Sequence, residues 1–179
     1  MKRYRKIKTL FFNRCSFSFL GIMVLLLCFF LTKKDAEASQ DRKEQKMVNK
    51  NEVTIKWLGH SCFLISLDDV VKIVTDPFDS TVGYPTPDVT ADVCLVSHDH
   101  FDHNCVSVVK GKPQVVKGEG EKEAKNIKFK GISSFHDEKQ GSQRGKNTIF
   151  TWELGGIRFA HVGDLGVELS SSQIKEMGA

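Results

Sequence analysis

The sequence predicts an α+β domain in which strands come first and outnumber helices, behind an N-terminal segment of different character. Two observations carry this. Runs of strand length recur from residue 52 to residue 162, whereas helical signals occur only after His103 and near the C-terminus. In addition, Gly155-Gly156 separates two such runs, a hairpin signal because both positions accept a positive φ without steric cost.

Residues 1–38 read as an export segment. Lys2, Arg3, Arg5, Lys6, Lys8 and Arg14 form a positive start, residues 16–31 (SFSFLGIMVLLLCFFL) are uncharged and mostly apolar, and Ala36-Glu37-Ala38 offers a small-x-small cleavage signal. The run is shorter than the roughly 20 residues of a comfortable bilayer span. The segment therefore reads as a signal peptide cut after Ala38 or as an uncleaved membrane anchor. Either way the remaining chain is expected to be exported, periplasmic or extracytoplasmic, or tethered to the membrane. Residues 39–51 are polar and mixed in charge, the composition of a linker. The domain is expected over 52–179.

Within it, residues 52–57 (EVTIKW) alternate polar and apolar, as a half-buried strand does. Residues 62–67 and 70–75 flank Asp68-Asp69 and predict a hairpin. Residues 92–97 (DVCLVS) form a short apolar run of the kind covered on both faces. Further strands are expected at 114–117, 127–135, 148–154 and 157–162, a short helix after His103, and a helix over 170–177 opened by serine N-caps. So few helices leave an apolar sheet face uncovered, so the domain is expected to be incomplete at its C-terminus.

The formal charge of +4 is unevenly spread: up to Lys50 there are 12 Lys/Arg against 4 Asp/Glu, and from Asn51 onward 14 against 18. The folded part is mildly acidic, which disfavours a nucleic-acid partner, since such a partner selects a basic face. Beyond the export segment the cysteines are Cys62, Cys94 and Cys105, an odd number at wide spacing and no disulfide framework. Cys62 and Cys94 lie in apolar strand-like runs and are expected as buried free thiols.

The chemistry is concentrated in Ser97-His98-Asp99-His100-Phe101-Asp102-His103, directly after the covered strand. Imidazole and carboxylate suit zinc, and also manganese or iron. His98 and His100 are two apart and point the same way if the segment is extended. Asp102 and His103 are adjacent, so a turn there lets them face a second ion. One metal takes all four groups only with difficulty, whereas two metals about 3.5–4 Å apart share them readily.

HDHFDH matches the HxHxDH signature of the metallo-β-lactamase superfamily. Trp57-Leu58-Gly59-His60-Ser61, Thr75-Asp76-Pro77-Phe78, Ser134-Phe135-His136-Asp137 and His161-Val162-Gly163-Asp164-Leu165-Gly166 resemble a bacterial branch of Zn-dependent hydrolases, similar to the ascorbate-6-phosphate lactonase group. The resemblance runs from about Val53 to the last residue. It implies an αββα sandwich with the site at the edge of two sheets. It implies further that His98, His100 and His136 hold one metal and that Asp102 and His103 hold a second, with Asp164 bridging both. It also implies another histidine beyond Asp164, and no histidine follows His161 here.

His60, Asp76 and His161 are candidates for the pocket or for buttressing the ligands. Arg144 and Lys146, in and after the loop 140–145, are candidates for an anionic substrate group or plain surface charge. The cofactors expected are two divalent ions, zinc before manganese or iron. The reaction expected is hydrolysis of a small-molecule ester, lactone, amide or phosphoester by metal-activated water, with Asp102 orienting that water. The competing readings are a phosphodiesterase or nuclease of the same superfamily, and an inactive metal-binding protein.

Overall fold

Why the strands arrange as they do follows from which faces they bury. The computed structural model describes residues 34–35, 39–40 and 52–178. The export segment expected over 1–38 and the linker over 39–51 otherwise lie outside the described residues. Among the described residues, no helix is long and apolar enough to cross a membrane. Asn49–Ala179 form one compact unit, and the elements below belong to it.

The first sheet runs in the order β1 (Val53–Gly59), β2 (Cys62–Leu67), β3 (Val71–Thr75), β4 (Val93–Val96), β5 (Gln114–Lys117). β1, β2 and β3 pair antiparallel, and β3–β4 and β4–β5 pair parallel. β4 is buried along its whole length, as the unbroken apolar run of a strand covered on both faces requires. The second sheet is antiparallel throughout: β6 (Gly120–Ala124), β7 (Ile127–Phe135), β8 (Lys146–Leu154), β9 (Ile157–His161). The β8–β9 turn is Gly155-Gly156, both at positive φ (59° and 77°).

The two sheets stack through Ile65, Ile73, Val93, Leu95 and Val116 on one side and Phe129, Phe150, Trp152 and Leu154 on the other. Each such side chain contributes about 1.5–3 kcal/mol when fully buried. On its other face the first sheet is covered by loops: Phe78, Ala91 and Val109 pack on Cys62, Val74, Cys94 and Val96.

The eight expected strands are present with ends shifted by a residue or two. Two expectations are corrected. The helix expected after His103 is only a 3₁₀ turn, Val106–Val108, because Cys105 N–H is drawn to Pro77 O at 2.8 Å and the chain turns back toward β5. The strand β6 was not expected: Gly120-Glu121-Lys122-Glu123-Ala124 carries alternating charge and little apolar surface. It exists by pairing in register with β7, an edge-strand role that charge suits. The C-terminal helix α1 (Ser171–Met177) is where expected, with Ser170 and Gln173 forming a capping box.

Candidate metal centre

The site forms where loops leave one edge of the sandwich. Parallel pairing brings the ends of β3 and β4 side by side, so Asp76 and Ser97 emerge together. Asp76 N–H donates to Leu95 O at 2.9 Å, and Ser97 N–H donates to Asp76 Oδ1 at 2.8 Å. His98 and His100 follow on the extended loop, and a turn closed by His103 N–H to His100 O at 3.0 Å aims Asp102 and His103 to the neighbouring side. His136 follows β7, His161 ends β9 and Asp164 lies in the next turn. His60 sits in the β1–β2 turn at φ 48°.

Two clusters result. The imidazoles of His98, His100 and His136 bring a nitrogen each to within 4.8 Å of one another, and the nitrogens of His60 and His103 gather with a carboxylate oxygen of Asp164 in the same way. In the first, His98 Nε2 lies 3.1 Å from His100 Nδ1. In the second, His103 Nε2 lies 3.3 Å from Asp164 Oδ2 and 3.8 Å from Asp102 Oδ2. Asp164 Oδ2 stands between the clusters, 3.0 Å from His136 Nε2. Donor atoms around a four-coordinate zinc with bonds of 2.0–2.1 Å are about 3.3 Å apart. The spacings here fit metal binding, and the donors are of the right chemistry. His136 Nδ1 is moreover buried without a hydrogen-bond partner.

Asp76 organises both clusters. Fully buried, its carboxylate accepts from Ser97 N–H and from Ser97 Oγ (2.7 Å), and meets His103 Nδ1 at 3.0 Å and His161 Nε2 at 2.7 Å. His103 Nδ1 therefore carries a proton and its Nε2 keeps a lone pair for the site. Ser97 spends its own proton on Asp76, so it accepts from His98 Nδ1, 2.9 Å away, which frees His98 Nε2 in the same way. One carboxylate thus sets the tautomer of a candidate ligand in each cluster.

The electrostatics agree. Burial alone would raise the Asp76 carboxyl, but hydrogen bonds from His103, His161 and Ser97 and the charge of His161 hold it well below the usual range. Burial, then the neighbouring His103 and His100, push His98 down to about 4, leaving it neutral and available as a ligand. Burial opposes charge on His103, yet its hydrogen bond to Asp76 and the charges of Asp76, Asp164 and Asp102 raise it. Carboxylates converging on an imidazole lone pair demand a cation, whether proton or metal.

Three supporting residues were not singled out from the sequence. Asn147 on β8 is buried, donates to Val162 O and Ser134 Oγ (2.8 Å each) and accepts from Asp164 N–H at 3.2 Å, fixing the Asp164 turn. Its only sequence signal is an amide inside an apolar strand. Ser97 lies within the motif but outside its histidine–aspartate pattern, and its hydroxyl is taken up by Asp76 and His98. Asp137 accepts from the backbone N–H groups of Lys139, Gly141, Gln143 and Arg144, which tie down the loop beside His136. Burial works against its charge, and those four donors prevail and lower it. Of the residues expected near the site, His161 meets Asp76, whereas His60 reaches His103 directly, at 3.0 Å between the Nε2 atoms. Arg144 and Lys146 line an open cavity of about 470 Å³ alongside His98 and His100.

Comparison with known proteins follows the same line. The sequence profile of the β-lactamase superfamily domain matches residues 54–179. A metal-dependent hydrolase of Methanoregula boonei is 34% identical over 105 residues, 58% of this chain and 39% of the relative. One of Thermus thermophilus is 30% identical over 155 residues, 70% of this chain and 67% of the relative. A crystal structure of a protein described as a Zn-dependent hydrolase of the metallo-β-lactamase superfamily, from Thermotoga maritima, superimposes with a TM-score of 0.57 at 38% identity, over 70% of this chain and 57% of the other. The chain thus spans well under half of the Methanoregula relative and somewhat over half of the Thermotoga structure. With the HxHxDH loop, the two-sheet sandwich and the paired donor clusters in place, the chain belongs to the β-lactamase superfamily domain family.

Proposed function

We propose that this domain is a metal-dependent hydrolase that holds two divalent ions, zinc first among them, and cleaves a small-molecule ester, lactone, amide or phosphoester. The observation that carries the reading is the pair of donor clusters sharing Asp164 Oδ2. His98, His100 and His136 would hold one ion, and Asp102 and His103 would take part in holding the other. Ions so placed lower the pKa of water toward neutrality and polarise the bond under attack.

The protein's own groups do the rest. Asp102, partly exposed at the rim of the second cluster, would orient the attacking water as well. Asp76, through Ser97 and His103, keeps the ligand tautomers correct. The cavity beside His98 and His100 has the size of a small-molecule site, commonly 300–1,000 Å³. Within it Lys117 is held by Asp99 at 3.3 Å and Lys146 lies 3.7 Å from Glu119. The export segment read from residues 1–38 supports placing the domain outside the cytoplasm or at the membrane surface.

The test is metal content and turnover together. The full chain, loaded with zinc, is assayed against chromogenic esters, lactones, amides and phosphodiesters beside the double variant His98→Ala/His100→Ala. Turnover of at least one class, lost in the variant, is expected. A folded chain that takes up no metal, or turnover untouched in the variant, would refute the proposal.

A further inference from the structure

The second cluster contains a histidine that the HxHxDH motif does not supply. His60 Nε2 lies 3.0 Å from His103 Nε2 and 3.2 Å from Asp102 Oδ2. With His103 to Asp164 at 3.3 Å, these spacings are close to those between the donors of a four-coordinate zinc, about 3.3 Å, while Asp102 Oδ2 stands farther from His103 Nε2, at 3.8 Å. Two imidazole nitrogens and two carboxylate oxygens converge here, donor types that suit zinc.

The placement of His60 is also enforced. It adopts the left-handed region (φ 48°) directly after Gly59 at φ 112°, in the turn that offsets the β1–β2 register. Non-glycine residues occupy that region at a cost, and such strain collects where a side chain must be aimed. Trp57 Nε1–H donates to His60 O at 2.9 Å, and the His60 ring stands edge-on to Phe78 at 6.3 Å. A backbone clamp and an aromatic wall together hold the imidazole over Asp102.

We propose that His60 is a ligand of the second metal ion, completing with Asp102, His103 and Asp164 a site assembled from three separate stretches of loop and turn. This rests on the metal-pair reading above. It makes the β1–β2 turn part of the metal site and assigns the second ion a histidine from the start of the domain.

The experiment strips the full chain with a chelator and reloads it with zinc. Ions per chain are counted by elemental analysis after gel filtration, and in parallel the cobalt(II) absorption spectrum is recorded. His60→Asn removes the imidazole yet keeps a residue that tolerates positive φ. His60→Asp tolerates it too and returns a metal-binding oxygen. The inference expects two ions in the parent chain, one in His60→Asn, and recovery toward two in His60→Asp. The ion left in His60→Asn reports that the variant is folded and should vanish when His98 and His100 are also changed to Ala. His60→Asn holding two ions at parental affinity would overturn the inference while leaving the metal-pair reading intact. So would a parent chain with one ion that only the His98→Ala/His100→Ala change removes. A folded parent chain that takes up no metal would overturn both.

Discussion

Replacing Asp76 with Asn tests whether one buried carboxylate organises both donor clusters. The change keeps the side-chain shape but leaves one oxygen where there were two. Asp76 Oδ2 meets three groups, Ser97 Oγ, His103 Nδ1 and His161 Nε2, whereas Oδ1 meets the Ser97 N–H alone. The less costly orientation of the amide therefore turns its oxygen to the three donors and sets its NH₂ against the Ser97 N–H. A buried donor left unsatisfied costs about 1–3 kcal/mol. The remaining bonds also lose their charge assistance, which accounts for roughly half of their strength. Together these predict a loss of about 2–4 kcal/mol. For a domain of this size that lowers the Tm by on the order of 10 °C. The His98 and His103 tautomers become less firmly set at the same time, which predicts zinc binding weaker by about 10–100-fold. The assays are thermal unfolding of the chelator-treated chain and zinc titration against a chromophoric competitor. A variant that melts within a degree or two of the parent and binds zinc as tightly would refute the reasoning.

Acid should act on the same carboxylate. Asp76 is held well below its ordinary value in the folded chain, so its contribution is present above about pH 4 and fades as pH falls below that. The urea midpoint of metal-free protein should drop from pH 6 to pH 3, and less steeply in Asp76→Asn. Gly166→Ala should damage the His136 side, because an added Cβ would fall 2.3 Å from the His136 carbonyl carbon and 2.4 Å from its oxygen. Loss of at least one zinc per chain with a lowered Tm is expected, and an unchanged zinc count argues against that packing. Burial, then the Asp76 charge, push the Cys62 and Cys94 thiols up to about 12, so both should resist alkylation at pH 8 until the chain is unfolded. Cys105, partly exposed, should label in the native state. Peptide mass mapping distinguishes these, and native labelling of Cys94 would contradict the buried placement.

Range divides the features legible in the sequence from those that are not. His98, His100, Asp102 and His103 fall within six residues, so an extended loop and a turn suffice to present them, and no long-range information is needed. Strand identity was legible for the same reason, since alternation and apolar runs report burial locally. His136 and Asp164 were carried by motif resemblance, not by any property of their own neighbourhoods. β6 escaped because its charged residues contain no burial signal, and its strand state is conferred by pairing with β7. The helix expected after His103 shrank to a 3₁₀ turn because a tertiary hydrogen bond to Pro77 competes with helix propagation.

Sequence alone therefore settled the donor chemistry, the strand-rich class and the superfamily resemblance, because those are written in residue type and short spacing. The tertiary structure alone decided which donors share a point in space. Asp76 and His103 are 27 residues apart, Asp76 and His161 are 85 apart, and His60 and His103 are 43 apart. Parallel pairing of β3 with β4 brings Asp76 under the metal loop, and the strained turn after β1 carries His60 over it. Contacts at such separations are set by sheet order and register, which are cooperative properties of the whole fold and leave no local trace in the chain.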